Sequence, residues 1–399
     1  MTTSLDNDLP RLPFAQPSPL DIAPEFHRLQ AELPITRIRT ATGDIAWMIT
    51  RYDDIKALFA DGRLGRSHPE PERAARFSDS ALLGGPFGDY ETEPESAARM
   101  RRLLAPAFSA RRMQGLRGRV NALVEDLLDR LSAETPPADL HQRLSLPLPV
   151  MVICELLGVP YADHKRFEEW SELAVGLGNA VAAATAFQEL FTYMDQHIEH
   201  KRREPSDDMI SALIAAEGEG KLSNDDIAIL AAALLLAGHA STAARIDHGT
   251  VLLLANPDQL NALRGDPALI EGAVEEIVRT FALGDSGLPR YARADIHIGG
   301  VTIRAGEAVF LAATVANRDE RIFSDPGRFD ITREPNPHLG FGHGNYFCIG
   351  ASLARLELQA VFSLLFQRFP TLRLAVPLEQ LQLRTDLLTG GFAELPVTW

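Results

Sequence analysis

The residues with most chemical potential lie in one run, Pro337-His338-Leu339-Gly340-Phe341-Gly342-His343-Gly344-Asn345-Tyr346-Phe347-Cys348-Ile349-Gly350. The run leads directly into Ala351 to Phe369, where Leu353, Leu356, Ala360 and Leu364 recur at helical spacing. Cys348 therefore falls at, or just before, a helix N-terminus. Unpaired amides and the helix dipole favour an anion there and draw a thiol toward thiolate. Gly342, Gly344 and Gly350 permit positive φ and let a flat group approach the backbone. A thiolate on such a loop suits a haem iron as an axial ligand, whereas an inert core residue is the alternative for any single cysteine.

A second set of candidates lies in the longest helical pattern, from Ser223 to about Ala255. Ser223 with Asp226 makes a capping-box-like start, and Pro257 supplies the stop. About 32 residues at 1.5 Å each give ~48 Å, enough to cross the molecule. Ile227 to Gly238 is almost wholly apolar, which predicts burial on all sides. A mid-helix glycine costs ~1 kcal/mol relative to alanine. Gly238, followed by His239, Ser241 and Thr242, suggests a local opening where a small ligand sits over the helix, with a packing glycine as the alternative. Further on, Glu276 and Arg279 share a helical face and can pair, although such pairs are commonly solvated contacts of little value.

The elements that must position these residues are mostly helical. A strand pair (Ile35 to Arg39, Ala46 to Thr50) precedes a short helix starting near Tyr52-Asp53-Asp54. Residues 62 to 95 are rich in proline, glycine and charge and too long for an ordinary connection, which reads as a lid or binding loop, or else as surface disorder. Helical patterns follow over Ala97 to Met113, Arg117 to Ala133 and Pro149 to Leu157, with more up to Glu217. Pro149 suits the first position of its helix. Residues 173 to 190 are small and apolar. Ile296-x-Ile298 and Val301-x-Ile303 read as a hairpin around Gly299-Gly300, and Ala308 to Val315 as another strand. Long helical stretches with small segregated strands indicate a mainly α, α+β chain.

With 399 residues and 46% hydrophobic content the chain can bury a large core. The formal charge of −15 argues against nucleic acid and against an anionic membrane surface. Cys154 and Cys348, the two cysteines, are far apart, which fits a reducing cytoplasm; Cys154 sits in an apolar run as a core residue. Met1 to Pro19 carries no apolar signal region, and no run reaches the ~18–20 apolar residues of a membrane span.

Phe341-Gly342-x-Gly344-x-x-x-Cys348-x-Gly350 resembles the haem-binding signature of the cytochrome P-450 family of haem-thiolate monooxygenases, and the resemblance covers nearly the whole chain. It implies the cytochrome P-450 fold: one domain over residues 1–399, with small segregated β-sheets and a long central helix over the haem. It implies haem b (iron protoporphyrin IX) with Cys348 as its metal ligand, and Phe341, Gly342, Tyr346 and Gly350 in the cofactor loop. Arg328 follows Glu276 and Arg279 at the family's distance, so the three resemble its buried Glu-Arg-Arg network beneath the haem. Arg290 and Arg101 match positions that contact the haem propionates, which need charged donors. Arg101 also belongs to a cluster with Arg99, Arg102, Arg111 and Arg112 that would suit docking of an acidic ferredoxin. In the family, the region matching residues 62 to 95 covers the substrate pocket, here with Phe77, Leu82, Leu83 and Phe87, and residues 173 to 190 match the pocket roof.

Three positions depart from the family pattern. Ala97 stands where the family has His, and Tyr346 where it has His or Arg, so two propionate donors are missing; the Tyr346 hydroxyl is a partial replacement. In Ala237-Gly238-His239-Ala240-Ser241-Thr242 the usual carboxylate is absent and Ser241 replaces threonine. Gly238, Ser241 and Thr242 are then the candidate catalytic positions, with Ser241, ordered water and a polar substrate group carrying protons to dioxygen. The resemblance implies a soluble, cytoplasmic, monomeric oxidase of a small organic substrate, a tailoring hydroxylase of specialised metabolism. Its electrons come from NAD(P)H through ferredoxin reductase and ferredoxin. Two alternatives stand beside it: an oxidative coupling or cyclisation enzyme on an aromatic or cyclic-dipeptide scaffold, and a non-catalytic haem sensor or carrier. Cys348→Ser is expected to abolish the thiolate-type carbonyl spectrum of the purified protein. A colourless parent, or a serine variant that keeps that spectrum, would end the haem-thiolate reading.

Overall fold

A computed structural model describes residues 9–80, 84–175, 179–215, 222–283, 289–384 and 390–399. Its helices run, in chain order, α1 (Pro24–Glu32), α2 (Tyr52–Ala60), α3 (Glu93–Leu104), α4 (Ala110–Ser132), α5 (Pro147–Leu157), α6 (His164–Val175) and α7 (Ala180–Arg203). They continue with α8 (Met209–Ala215), α9 (Asn224–Ala255), α10 (Pro257–Gly265), α11 (Ile270–Thr280), α12 (Ala313–Ala316) and α13 (Ala351–Arg368). The strands are β1 (Ile35–Arg39), β2 (Ile45–Ile49), β3 (Leu64–Gly65), β4 (Ala138–Asp139) and β5 (Arg290–Ala292). After them come β6 (Ile296–Ile298), β7 (Val301–Ile303), β8 (Ala308–Leu311), β9 (Arg373–Leu374) and β10 (Pro396–Thr398). The expected mainly α architecture with small separate sheets is what the chain forms. The chain divides into two compact units, each described by itself.

The first unit takes in Met1–Ala98, Glu275–Cys348 and Thr385–Gly390. Its sheet has the order β1-β2-β8-β5-β3, antiparallel except for the parallel β2–β8 pair, with Trp47 opposite Val309 and Arg290 opposite that same Val309. All of β5 is buried, so the sheet presents Arg290 from its interior. Ile296–Ile298 and Val301–Ile303 make the expected hairpin, turning at Gly299 and Gly300, both at positive φ. The strand expected up to Val315 ends at Leu311, and the chain winds into α12 instead. In the expected lid, Phe77 is a core residue stacked on Phe310 of β8 at 5.8 Å, whereas Phe87 is exposed. Leu82 and Leu83 lie outside the described residues, as do residues 176–178 of the expected roof.

The second unit takes in Arg99–Val274, Ile349–Arg384 and Gly391–Trp399. The helix expected from Ala97 to Met113 breaks around Pro106: α3 ends at Leu104, a 3-10 turn covers Ala105–Phe108, and Ser109 caps α4. Pro106 has no N–H to continue the ladder. Pro147, two residues earlier than expected, opens α5, because a π-helical turn over His141–Ser145 leads into it without a break. Cys154 is buried in α5, and burial pushes its thiol up to about 12, as an inert core cysteine requires.

At the centre of this unit α9 packs against α5, α6, α7 and α13. Its start is the capping box: Ser223 Oγ accepts from Asp226 N–H at 3.1 Å and Asp226 Oδ2 accepts from Ser223 N–H at 3.0 Å. Most of the helix is buried, but Ile229, Ala233 and Ala237 are exposed and Ser241 half-buried, four residues apart along one stripe. Length and apolarity would let α9 cross a bilayer, against the sequence expectation, yet 67% of its apolar window is buried within the fold, so it serves as a core helix. Ser223→Ala is expected to destabilise the protein by ~1 kcal/mol in urea unfolding; an unchanged midpoint would show that packing alone holds this helix end.

Candidate functional site

In the first unit the loop before Cys348 is held along its length. Tyr52 of α2 donates its hydroxyl to Pro337 O at 2.5 Å, and Asn317 Oδ1 accepts Leu339 N–H at 2.7 Å. His338 Nε2 donates to Glu275 at 2.9 Å, while its Nδ1 accepts Gly340 N–H at 3.1 Å. Gly344 has φ +65° and lies so close to α2 that a Cβ would sit 2.7 Å from Phe59 O. No other residue fits both demands. Gly342 also takes positive φ; Gly350 does not (φ −82°) and serves as the N-cap residue of α13. Phe341 is buried, its carbonyl accepts Cys348 N–H at 2.8 Å, and the Cys348 side chain is exposed.

Beneath this loop lies a buried charge network. Arg279 grips Glu276 through two hydrogen bonds of 2.7 Å, with neither side chain exposed. Arg279 also donates to the carbonyls of Asn317, Pro326 and Arg328. The expected third member is replaced. Arg328 turns its side chain outward, 60% exposed and 4.0 Å from Asp330, and contributes only its carbonyl. Arg333 takes the place, donating to Glu276 at 3.2 Å and to the carbonyls of Ser324, Asp325 and Arg328. Asp330 N–H and Asn336 Nδ2 complete the carboxylate's partners, at 3.0 and 3.1 Å. The two arginines are five positions apart, and nothing local marks which one turns inward.

Two of the expected propionate contacts meet at Tyr346. The guanidinium of Arg290, itself buried, lies 5.1 Å from the Tyr346 ring centre, and that of Arg66 lies 5.2 Å from it. The Tyr346 hydroxyl, expected to replace a propionate donor, instead donates to Glu93 at 2.6 Å. The other candidate cation, Arg101, is half-buried near the end of α3. Of its neighbours in the basic cluster, Arg112 is committed to Asp207 at 2.7 Å, while Arg102 and Arg111 remain exposed. Sequence reading passed over Glu93, Arg66 and Arg333, since their partners lie far away in the chain.

In the second unit α9 carries the other candidates. Ser241 Oγ donates to Ala237 O, one turn back, at 2.9 Å, and Arg245 donates to Ser241 O at 2.8 Å. Gly238 faces Ile153, which a Cβ would meet at 3.3 Å, so packing contributes to the choice of glycine. Thr242 is buried and off the open stripe. His239 is buried too, away from any opening: Nε2 donates to Leu146 O at 3.1 Å and Nδ1 accepts from Ser171 at 2.7 Å. Burial holds its pKa down at about 4, so the ring is neutral.

Comparison with known proteins decides the family. The family described as Cytochrome P450 matches residues 266–378. The chain is 48% identical to pentalenolactone synthase of Streptomyces exfoliatus over 98% of its own length and 100% of that protein's. It is 41% identical to nocardicin C N-oxygenase of Nocardia uniformis subsp. tsuyamanensis, covering 97% of this chain and 98% of that one. This chain belongs to the cytochrome P450 family. The crystal structure of the substrate-free cytochrome P450 PimD, a pimaricin epoxidase, superposes with a TM-score of 0.90 at 43% identity, covering 98% of this P450 and 100% of that chain.

This P450 is accordingly a bacterial-type monooxygenase whose family employs a haem iron and dioxygen, which removes the sensor or carrier alternative. Its residues fit the haem: an exposed cysteine follows a loop with two positive-φ glycines, and buried Arg290 suits a carboxylate. Bound haem supplies the activation of dioxygen, and a thiolate ligand favours O–O cleavage. Arg333→Ala is expected to cost roughly 2–4 kcal/mol in urea unfolding, since it strips a donor from a buried carboxylate. Arg328→Ala should stay within ~0.5 kcal/mol. The reverse order would return the third place to Arg328.

Proposed function

We propose that this P450 tailors a secondary metabolite, oxidising a small, largely apolar organic substrate with electrons from NAD(P)H delivered through ferredoxin reductase and ferredoxin. Cys348 is the axial ligand, Arg290 and Arg101 hold propionates, and the protein is a cytoplasmic monomer. The observation that carries the reading is 48% and 41% identity, over nearly the whole chain, to pentalenolactone synthase and nocardicin C N-oxygenase. The open stripe of α9 supports it, because Ile229, Ala233 and Ala237 offer a small apolar surface next to Ser241.

Oxidative cyclisation or coupling is the second reading, and one feature of α9 favours it. Its stripe around Ser241 bears no carboxylate, and Ala240 is buried. The Ser241 hydroxyl hydrogen is engaged by Ala237 O, so Ser241 must rotate before it can pass a proton outward. A polar substrate group or water then shares the proton delivery. With a surrogate ferredoxin pair, NAD(P)H consumption should rise on adding the true substrate and yield one oxidised product. General-acid help contributes ~10²–10⁴-fold. Ser241→Ala is therefore expected to divert electrons to peroxide and lower product per NAD(P)H by up to ~10²-fold. Unchanged coupling would remove Ser241 from proton delivery.

A further inference from the structure

Behind Ser241, α9 is held at two points to the π-helical turn that precedes α5. The first is His239, whose Nε2 donates to Leu146 O at 3.1 Å while its Nδ1 accepts from Ser171 of α6. The second is Asp247, wholly buried, whose Oδ2 accepts from His141 Nδ1 at 2.6 Å. Leu146 N–H donates to His141 O at 2.9 Å, so the two points share one support. That support is itself anchored. Asp139 accepts His141 N–H at 3.0 Å and Leu395 N–H at 2.8 Å, which ties the turn to the chain just before β10. His239 and Asp247 are eight residues apart, ~12 Å along the helix, and Ser241 and Thr242 lie between them. Burial lowers the His141 pKa, but the charge and hydrogen bond of Asp247, together with Asp139, outweigh burial and Arg384 and leave it above its ordinary value.

Stability does not account for this pair. Among the described residues, His141 Nε2, Asp247 Oδ1 and Ser145 Oγ are buried without a hydrogen-bond partner. Polar atoms left so are costly, and apolar residues of like volume in place of a buried ion pair are often neutral or stabilising. What the pair supplies is direction, since a hydrogen bond is satisfied in one geometry whereas an apolar contact tolerates small slides and turns. The helix needs such a constraint. Ala231, Ala232, Ala240, Ala243 and Ala244 are all buried in it, and their short side chains give little to interlock with a neighbour. Asp247, like His239, lies off the open stripe that carries Ser241. We propose that His141 and Asp247 are positioning residues which, with His239, fix the rotation and register of α9 from behind and so the direction in which Ser241 faces. They act through the helix, and the pinning is independent of whether Ser241 passes a proton.

Hydrogen exchange of α9 amides, the urea midpoint and the C–O stretch of the ferrous carbonyl complex, all measured on holoenzyme, test it. His141→Leu combined with Asp247→Val removes the pair and roughly keeps its volume. The midpoint should stay close to the parent's. Amides from His239 to Asp247 should nevertheless exchange at least about tenfold faster, with the rest of the second unit unmoved. The carbonyl band should broaden or split, because a helix with several settings turns Ser241 in several directions. Asp247→Asn keeps an acceptor for His141 and should fall between the double variant and the parent. Exchange within about twofold of the parent would overturn the pinning. Exchange that quickens across the whole second unit, with a midpoint that falls in step, would make the pair a stability element only and overturn the positioning role. Faster local exchange with an unmoved carbonyl band would overturn the claim on Ser241. Should the double variant fail to fold, Asp247→Asn carries the same three comparisons. A parent without haem would overturn the reading of Cys348, while exchange still decides the pinning.

Discussion

A carboxylate wholly removed from water must be matched inside the protein, and the way Glu276 is matched shapes the region beneath the cysteine loop. Its two oxygens take Arg279, Arg333, Asn336 and a backbone amide, and the two arginines then spend their remaining donors on carbonyls between Asn317 and Arg328. A stretch with little regular structure is thereby fixed by charge-assisted hydrogen bonds. Asn317 links this network to the loop itself, since its carbonyl accepts from Arg279 while its side chain accepts Leu339 N–H. The geometry around Cys348 thus depends on an ion pair that looks, on paper, like an ordinary helical surface contact.

Glu93 repeats the principle closer to Cys348. There a buried anion organises a tyrosine and the backbone of residues 66 and 67, with Gly65 cleared to admit it. The two centres differ in outcome. Around Glu276 the donors saturate the carboxylate, giving a rigid support. Around Glu93 the partners are two backbone amides and the hydroxyls of Ser67 and Tyr346, which tie three chain segments together.

Local signals carried much of the architecture into the sequence. The α9 capping box, its proline stop, the hairpin at Gly299-Gly300 and the glycines before Cys348 all act within a few residues, so spacing reveals them. Errors came where two local rules competed. Pro147 and Pro149 both suit a first turn, and only the preceding π-helical turn separates them. Phe77 read as a lid residue because it lies in the long proline- and glycine-rich stretch matching the family's pocket cover, yet it reaches Phe310, which is distant in sequence.

The sequence by itself determined the family, the glycine loop that leads to Cys348 and the helix that follows it, since each rests on residue type at short range. Only the tertiary structure decided that Arg333 rather than Arg328 faces Glu276, that the Tyr346 hydroxyl belongs to Glu93, and that His239 points into packing. Those choices depend on which buried charge or carbonyl a side chain meets tens to hundreds of residues away. Hydrogen-bond partners at that separation leave no periodicity to read.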